Sequence, residues 1–222
     1  MPVKAVFLCA IVAFCSLCFS CGESDKVTIS STEGNVCRSE SKVGKESSPR
    51  CVTVYRYDEF PLATAEALCK ELRKTFPEVK LSGTVLKLPA KYYLKERNRY
   101  NAGGLLDDLK SRSNGDAVIG LTNRIIYHAN EISPTYGIMG LSRIGTHSCV
   151  VSSRIPASGK THSIDNFVKL ALHELGHAYG LPHCPDQHCY MVDAEHKMKF
   201  PQTTGFCTSC QSKLKAAGWK LK

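Results

Sequence analysis

HELGHAYGLPHC, residues 173–184, is the stretch on which the reading of this chain turns. His173 and His177 stand four apart, so on a helix both imidazoles leave one face a turn apart, where two rings can hold one zinc ion. Glu174 occupies the position that sets a carboxylate beside a metal-bound water rather than on the metal. Gly180 can take the left-handed conformation that ends a helix. Leu181 and Pro182 then fix the exit, and the chain can bring His183 back as a third ligand. Three histidines leave the fourth tetrahedral position for water, which separates a catalytic zinc from a structural one.

Those parts imply metal-assisted hydrolysis of peptide bonds. Zinc lowers the pKa of its water toward neutrality, Glu174 takes the proton, and hydroxide attacks a carbonyl that zinc also polarises. Glu174 then returns the proton to the leaving amine. H-E-x-x-H alone is short enough to arise by chance, but Gly180 and His183 at the right distances make coincidence remote.

Beyond His183 the chain reads CPDQHCYM (184–191) and later CTSC (207–210). Cys184 with Cys189, and Cys207 with Cys210, are two closely spaced pairs of the kind that build a closed four-cysteine zinc site. The whole run, H-E-x-x-H-x-x-G-x-x-H-C-x4-C-x-M followed by C-x-x-C, resembles the signature of the archaemetzincins, a branch of the metzincin zinc peptidases. It is carried here by His173, Glu174, His177, Gly180, His183, Cys184, Cys189, Met191, Cys207 and Cys210. RYNAGGLLDDL (99–109), GDAVIGLTNRIIY (115–127) and SCVVSSRI (148–155) are similar to upstream segments of that family, so the resemblance runs from about Cys51 to the C-terminus. The interval from Met191 to Cys207 is shorter than in the family motif.

The resemblance implies an α+β, metzincin-like zincin. An upper subdomain with a mixed β-sheet, helices and the active-site helix is followed by a small lower subdomain stapled by a four-cysteine zinc site. It implies a catalytic zinc on His173, His177 and His183, with Glu174 as general acid and base. Met191 becomes the Met-turn floor beneath the metal, and Cys184, Cys189, Cys207 and Cys210 hold a second, structural zinc. Two zinc ions per chain are therefore expected, and a peptide or protein substrate lying along an edge strand near Tyr136 to Ser142.

Upstream of the motif, the alternation in CVTVYRY (51–57) reads as a strand, and Pro61 to Pro77 as a helix bounded by prolines. EVKLSGTVLKLP (78–89) reads as one or two strands, and KLPAKYYLKERNRY (87–100) as a solvated helix flank. AGGLLDDLKSR is a short helix, and GDAVIGLT a buried strand opened by the turn pair Asn114 and Gly115. YGIMGLSRIG and HSCVVSSRI are two more strands, with a sheet edge nearby, before a longer helix from about Ser163 to Tyr179. This order suggests a mixed sheet with helices packed on it. A short basic helix ends the chain, and Trp219 is expected to anchor it by packing.

Residues 1–20 read as a signal peptide: one basic residue, then a run of apolar and small residues too short for a membrane span. Cys21, after Ser20 and before Gly22, resembles the lipid-attachment cysteine of a bacterial lipoprotein. Residues 21–50 are too poor in apolar side chains to build a core and form a flexible tether, leaving 51–222 as the catalytic domain. The expected location is exported and membrane-anchored through the N-terminal lipid, periplasmic or at the cell surface, with plain secretion as the alternative. In such an oxidising compartment the four cysteines after His183 could pair as disulfides; zinc is the expectation. The even set Cys37, Cys51, Cys69 and Cys149 remains beyond them.

With 29 basic and 20 acidic side chains the chain carries a formal charge of +9, spread along its length rather than blocked. That describes a solvated surface, and no nucleic-acid-binding module is present. A monomer is expected. The competing function is a catalytically weak zinc-binding or peptide-binding surface lipoprotein, which would have no use for Glu174.

Overall fold

The computed structural model describes residues 51–113, 117–131, 133–193 and 200–221. The expected signal peptide and tether, with Cys21 and Cys37, and the expected Asn114–Gly115 turn lie outside the described residues.

Along the described residues the helices and strands follow in the order β1 (Cys51–Tyr57), α1 (Leu62–Leu72), β2 (Glu78–Leu86), β3 (Tyr93–Leu94), β4 (Arg99–Asn101), α2 (Ala102–Lys110), β5 (Ala117–Thr122), β6 (Ile126–His128), β7 (Tyr136–Ile138), β8 (Gly140–Ser142), β9 (Ser148–Ser152), α3 (Ile164–Ala178) and α4 (Thr208–Ala216). Parallel strands need a crossover between them, and α1 supplies it between β1 and β2. The main sheet runs β2-β1-β5-β9-β8. Its first four strands are parallel, and β8 is antiparallel to β9 at the edge.

Both faces of this sheet are covered, which is why β5 and β9 are buried at every position. On one face Val52, Val54, Ile119, Leu121, Cys149 and Val151 pack with α1 and α3. On the other, Tyr57, Val118 and Val150 meet Leu105 and Leu109 of α2. The mixed sheet with helices is therefore an α+β architecture, as the patterns predict.

Two segments differ from expectation. Residues 87–100 do not form a helix flank. Asn98 adopts a left-handed conformation with φ 49°, turning the chain so that β3 and β4 pair antiparallel. Tyr93 and Tyr100 then pack across the two strands, ring centroids 5.0 Å apart. The second difference is in YGIMGLSRIG, which is two strands in two sheets. Tyr136–Ile138 pairs with β6 in a small sheet ordered β3-β4-β6-β7, while Gly140–Ser142 joins β9. Met139 sits at the break, its carbonyl accepting from the Ser152 N–H at 2.7 Å.

The C-terminal segment returns to the upper part of the molecule. Trp219 packs on Phe76 at 4.2 Å between centroids, and edge-on to Tyr179 and Phe206 at 5.3 and 5.6 Å. The Lys220 N–H donates to the Thr75 carbonyl. Trp219 is the packing anchor expected of it.

One buried polar group is badly served. His162, just ahead of α3, is buried with neither ring nitrogen hydrogen-bonded, and burial pushes its pKa down. An imidazole kept neutral in the fold but free to take a proton when unfolded makes stability fall as pH drops below ~6.5. His162→Leu is expected to be at least as stable as wild type at pH 7.5, and to lose less stability at pH 5.5. Urea midpoints of both proteins at the two pH values check this. An equal loss in both would show that His162 does not report burial.

Candidate active site

α3 begins and ends where its sequence signals put it. The Ser163 hydroxyl accepts from the Asn166 N–H at its start. At its end Gly180 turns left-handed at φ +97°, its N–H reaching the His177 carbonyl and that of Leu181 the Gly176 carbonyl, both at 2.9 Å. That paired closure satisfies the last carbonyls and reverses the chain at once.

The reversal brings three imidazoles together. The Nε2 atoms of His173 and His177 are 3.1 Å apart, and the His183 ring lies 5.5 and 4.8 Å from the other two, centroid to centroid. One ligand atom from each lies within 4.8 Å of the others, so the three could hold one metal ion. The opposite ring nitrogens are held in place. His173 Nδ1 donates to the Tyr190 carbonyl at 2.6 Å and His177 Nδ1 to the Leu181 carbonyl at 2.7 Å. His183 Nδ1 lies 3.4 Å from Asp193 Oδ2. An Nδ1 that carries the proton leaves Nε2 with its lone pair free, the tautomer a metal needs.

Electrostatics agree with that role. Burial, with the neighbouring His177 charge second, pushes the His173 pKa down to about 3. Burial lowers His177 as well. Both are neutral near pH 7, as ligands must be. Chemistry, tautomer and spacing of these donors all fit zinc.

Glu174, next to His173 on α3, is buried, and burial pushes its carboxyl up to about 8. Met191 is fully buried beneath α3. It lies so close that a Cβ on Gly176 would collide with its sulfur.

The second cluster is also assembled. The sulfurs of Cys184, Cys189, Cys207 and Cys210 lie within 4.8 Å of one another. Cys184 and Cys207 sulfurs are 3.7 Å apart, beyond the ~2.05 Å of a disulfide, and the described cysteines are thiols. Cys189 Sγ accepts from the Cys207 N–H at 3.3 Å and the Met191 N–H at 3.4 Å, contacts that favour a thiolate, while burial outweighs them and raises that thiol's pKa. Burial works against ionising Cys207, but hydrogen bonds from Cys210, led by its backbone N–H, and from Cys184 and Cys189 outweigh it and hold that thiol below its usual range. Four sulfurs in a closed set fit a structural zinc.

The two clusters share a support. The Cys184 N–H donates to the Met191 carbonyl, and the Tyr190 N–H to that of Gly205. The cysteines thus clamp the loop that supplies His183, the Tyr190 carbonyl and Met191.

Every described residue singled out for the two metal sites falls into its cluster. Asp193 and the Tyr190 carbonyl were not anticipated. A backbone carbonyl has no sequence signal, and Asp193 belongs to no motif. The expected substrate edge is narrower than Tyr136 to Ser142, since only Gly140–Ser142 lies on the edge of the main sheet.

The model of peptidase family M54 matches residues 65–216. The chain is similar to the archaemetzincin of Methanopyrus kandleri, with 34% identity over 149 residues, covering 64% of this chain and 82% of that one. It is also similar to the archaemetzincin of Sulfolobus acidocaldarius, at 31% over 154 residues, covering 62% and 80%. The crystal structure of the Methanopyrus kandleri protein superposes with a TM-score of 0.64 at 27% identity, over 77% of this chain and 96% of that one. Archaemetzincin from Archaeoglobus fulgidus, solved with malonate, shares the fold at a TM-score of 0.61 and 24% identity, over 73% of this chain and 99% of that one.

Proposed function

We propose, from the premise that this chain belongs to peptidase family M54 and is a zinc metallopeptidase, that Glu174 is its general base and general acid. His173, His177 and His183 would hold the catalytic zinc, and Cys184, Cys189, Cys207 and Cys210 a structural one, two ions per chain. Zinc in the histidine site supplies Lewis acidity, polarising a peptide carbonyl and acidifying a water. Glu174 would take a proton from the attacking water on a carboxylate oxygen and pass it to the leaving nitrogen. Tyr190, Leu181 and Asp193 orient the three imidazoles, and Met191 fills the space beneath them. The peptide would extend along the free edge of β8, adding a strand to the sheet.

The observation that carries this reading is the convergence of three imidazoles, with a buried carboxyl on the residue that follows the first of them. A pure zinc or peptide binder gains nothing from burying Glu174 there. Residues 1–20 would direct export, and lipid on Cys21 would hold residues 51–222 near a membrane surface through the tether.

The test is to incubate the full zinc-loaded chain with a diverse peptide library and identify products by mass spectrometry, with Glu174→Ala beside it at equal zinc content. Products from wild type alone are expected. Identical product sets from both would overturn the assignment.

A further inference from the structure

The Glu174 carboxylate lies against the edge strand, and it does so at the one position of that strand where nothing projects. Opposed residues of an antiparallel pair project to the same face. Gly140 stands opposite Val151, and Ser142 opposite Cys149. Val151 and Cys149 belong to the core shared with α3, so Gly140 and Ser142 face α3 too. Leu141, between them, packs on the core under α2. A Cβ on Gly140 would fall 2.5 Å from Glu174 Oε1, 2.6 Å from its Cγ and 2.7 Å from its Cδ. The collision is with the arm as well as the tip, and the arm is buried. Cys149 approaches from the neighbouring strand: burial, and after it the Glu174 carboxyl, raises the pKa of its thiol.

We propose that Gly140 is a positioning residue for peptide hydrolysis, its absent side chain forming the seat that holds the Glu174 carboxyl against β8. The proposal rests on the assignment of Glu174 made above. Carbon atoms pack at ~3.5–4.0 Å, so an added methyl group drives the carboxylate off by about 1 Å. A displacement of that size costs about 10²-fold in rate. The strand's backbone is unchanged, so substrate pairing along β8 persists and the loss falls on kcat rather than KM.

A cycle of variants tests the seat. Gly140→Ala is expected to lower kcat by about 10²-fold, with zinc content unchanged and KM within a few-fold. In a Glu174→Ala background, which removes the arm, Gly140→Ala should leave the melting temperature unchanged, whereas it lowers it in wild type. That second reading is independent of turnover. An equal fall in melting temperature on adding the alanine to the wild-type and Glu174→Ala backgrounds overturns the proposal, as does a wild-type-like kcat in Gly140→Ala. If Gly140→Ala alone does not fold, folding of the double variant with Glu174→Ala supports the seat, and failure of both overturns it. Failure of the underlying assignment looks different: Glu174→Gln would then turn over like wild type, while the melting cycle still showed the contact.

Discussion

Glu174→Gln is expected to keep its zinc and to lose about 10³-fold in kcat. Glutamine has nearly the shape of glutamate, so it fills the same buried space between α3 and β8 without a new collision. It accepts no proton at neutral pH. The groups that orient the histidines, the Tyr190 and Leu181 carbonyls and Asp193, are untouched, so the metal site should stay loaded. If substrate pairs with the Gly140–Ser142 backbone, as proposed, KM should move little. Metal analysis by mass spectrometry together with steady-state kinetics on a cleaved library peptide decides the matter. A kcat within a few-fold of wild type would assign the proton transfer to another group.

The other large effect lies away from the chemistry. Replacing both Cys189 and Cys210 by serine removes two of four sulfurs from the cysteine cluster. Structural zinc in small domains is worth on the order of 10 kcal/mol of apparent binding free energy, comparable to the whole stability of an ordinary domain, about 5–15 kcal/mol. The expected variant loses the structural zinc, becomes sensitive to protease between residues 181 and 221, and shows little or no peptidase activity. The loss of activity follows because the cysteine clamp holds the loop carrying His183, the Tyr190 carbonyl and Met191. Zinc per chain, limited proteolysis and melting temperature check it. Wild-type melting and full activity would show that the cluster does not support the site.

How far this could be read from sequence depends on how local each determinant is. The boundaries of α3 were legible because Ser163 and Gly180 act on their own helix ends, and the i, i+4 histidines carry their geometry with them. The cysteine pairs were legible for the same reason. By contrast, Met139 marks a change of sheet only because Ser152, thirteen residues on, claims its carbonyl. The hairpin at 93–100 depends on one left-handed asparagine amid charges that suit a helix flank equally well. Gly140 gave a weak sign, since glycine inside a strand often marks a close approach, but its neighbour, Glu174, is distant in sequence. Asp193 meets His183 only after the loop has folded.

The chain has a single tryptophan, and its location makes the protein its own optical gauge. The indole of Trp219 is enclosed by Phe76, which follows the first helix, Tyr179, which closes the helix bearing His173 and His177, and Phe206, which precedes Cys207. Its emission therefore arises from a dry spot where the upper core, the histidine helix and the cysteine cluster meet. Water reaching that ring shifts the emission to the red, so one unlabelled fluorescence trace follows the closure of all three parts together as metal is added or withdrawn.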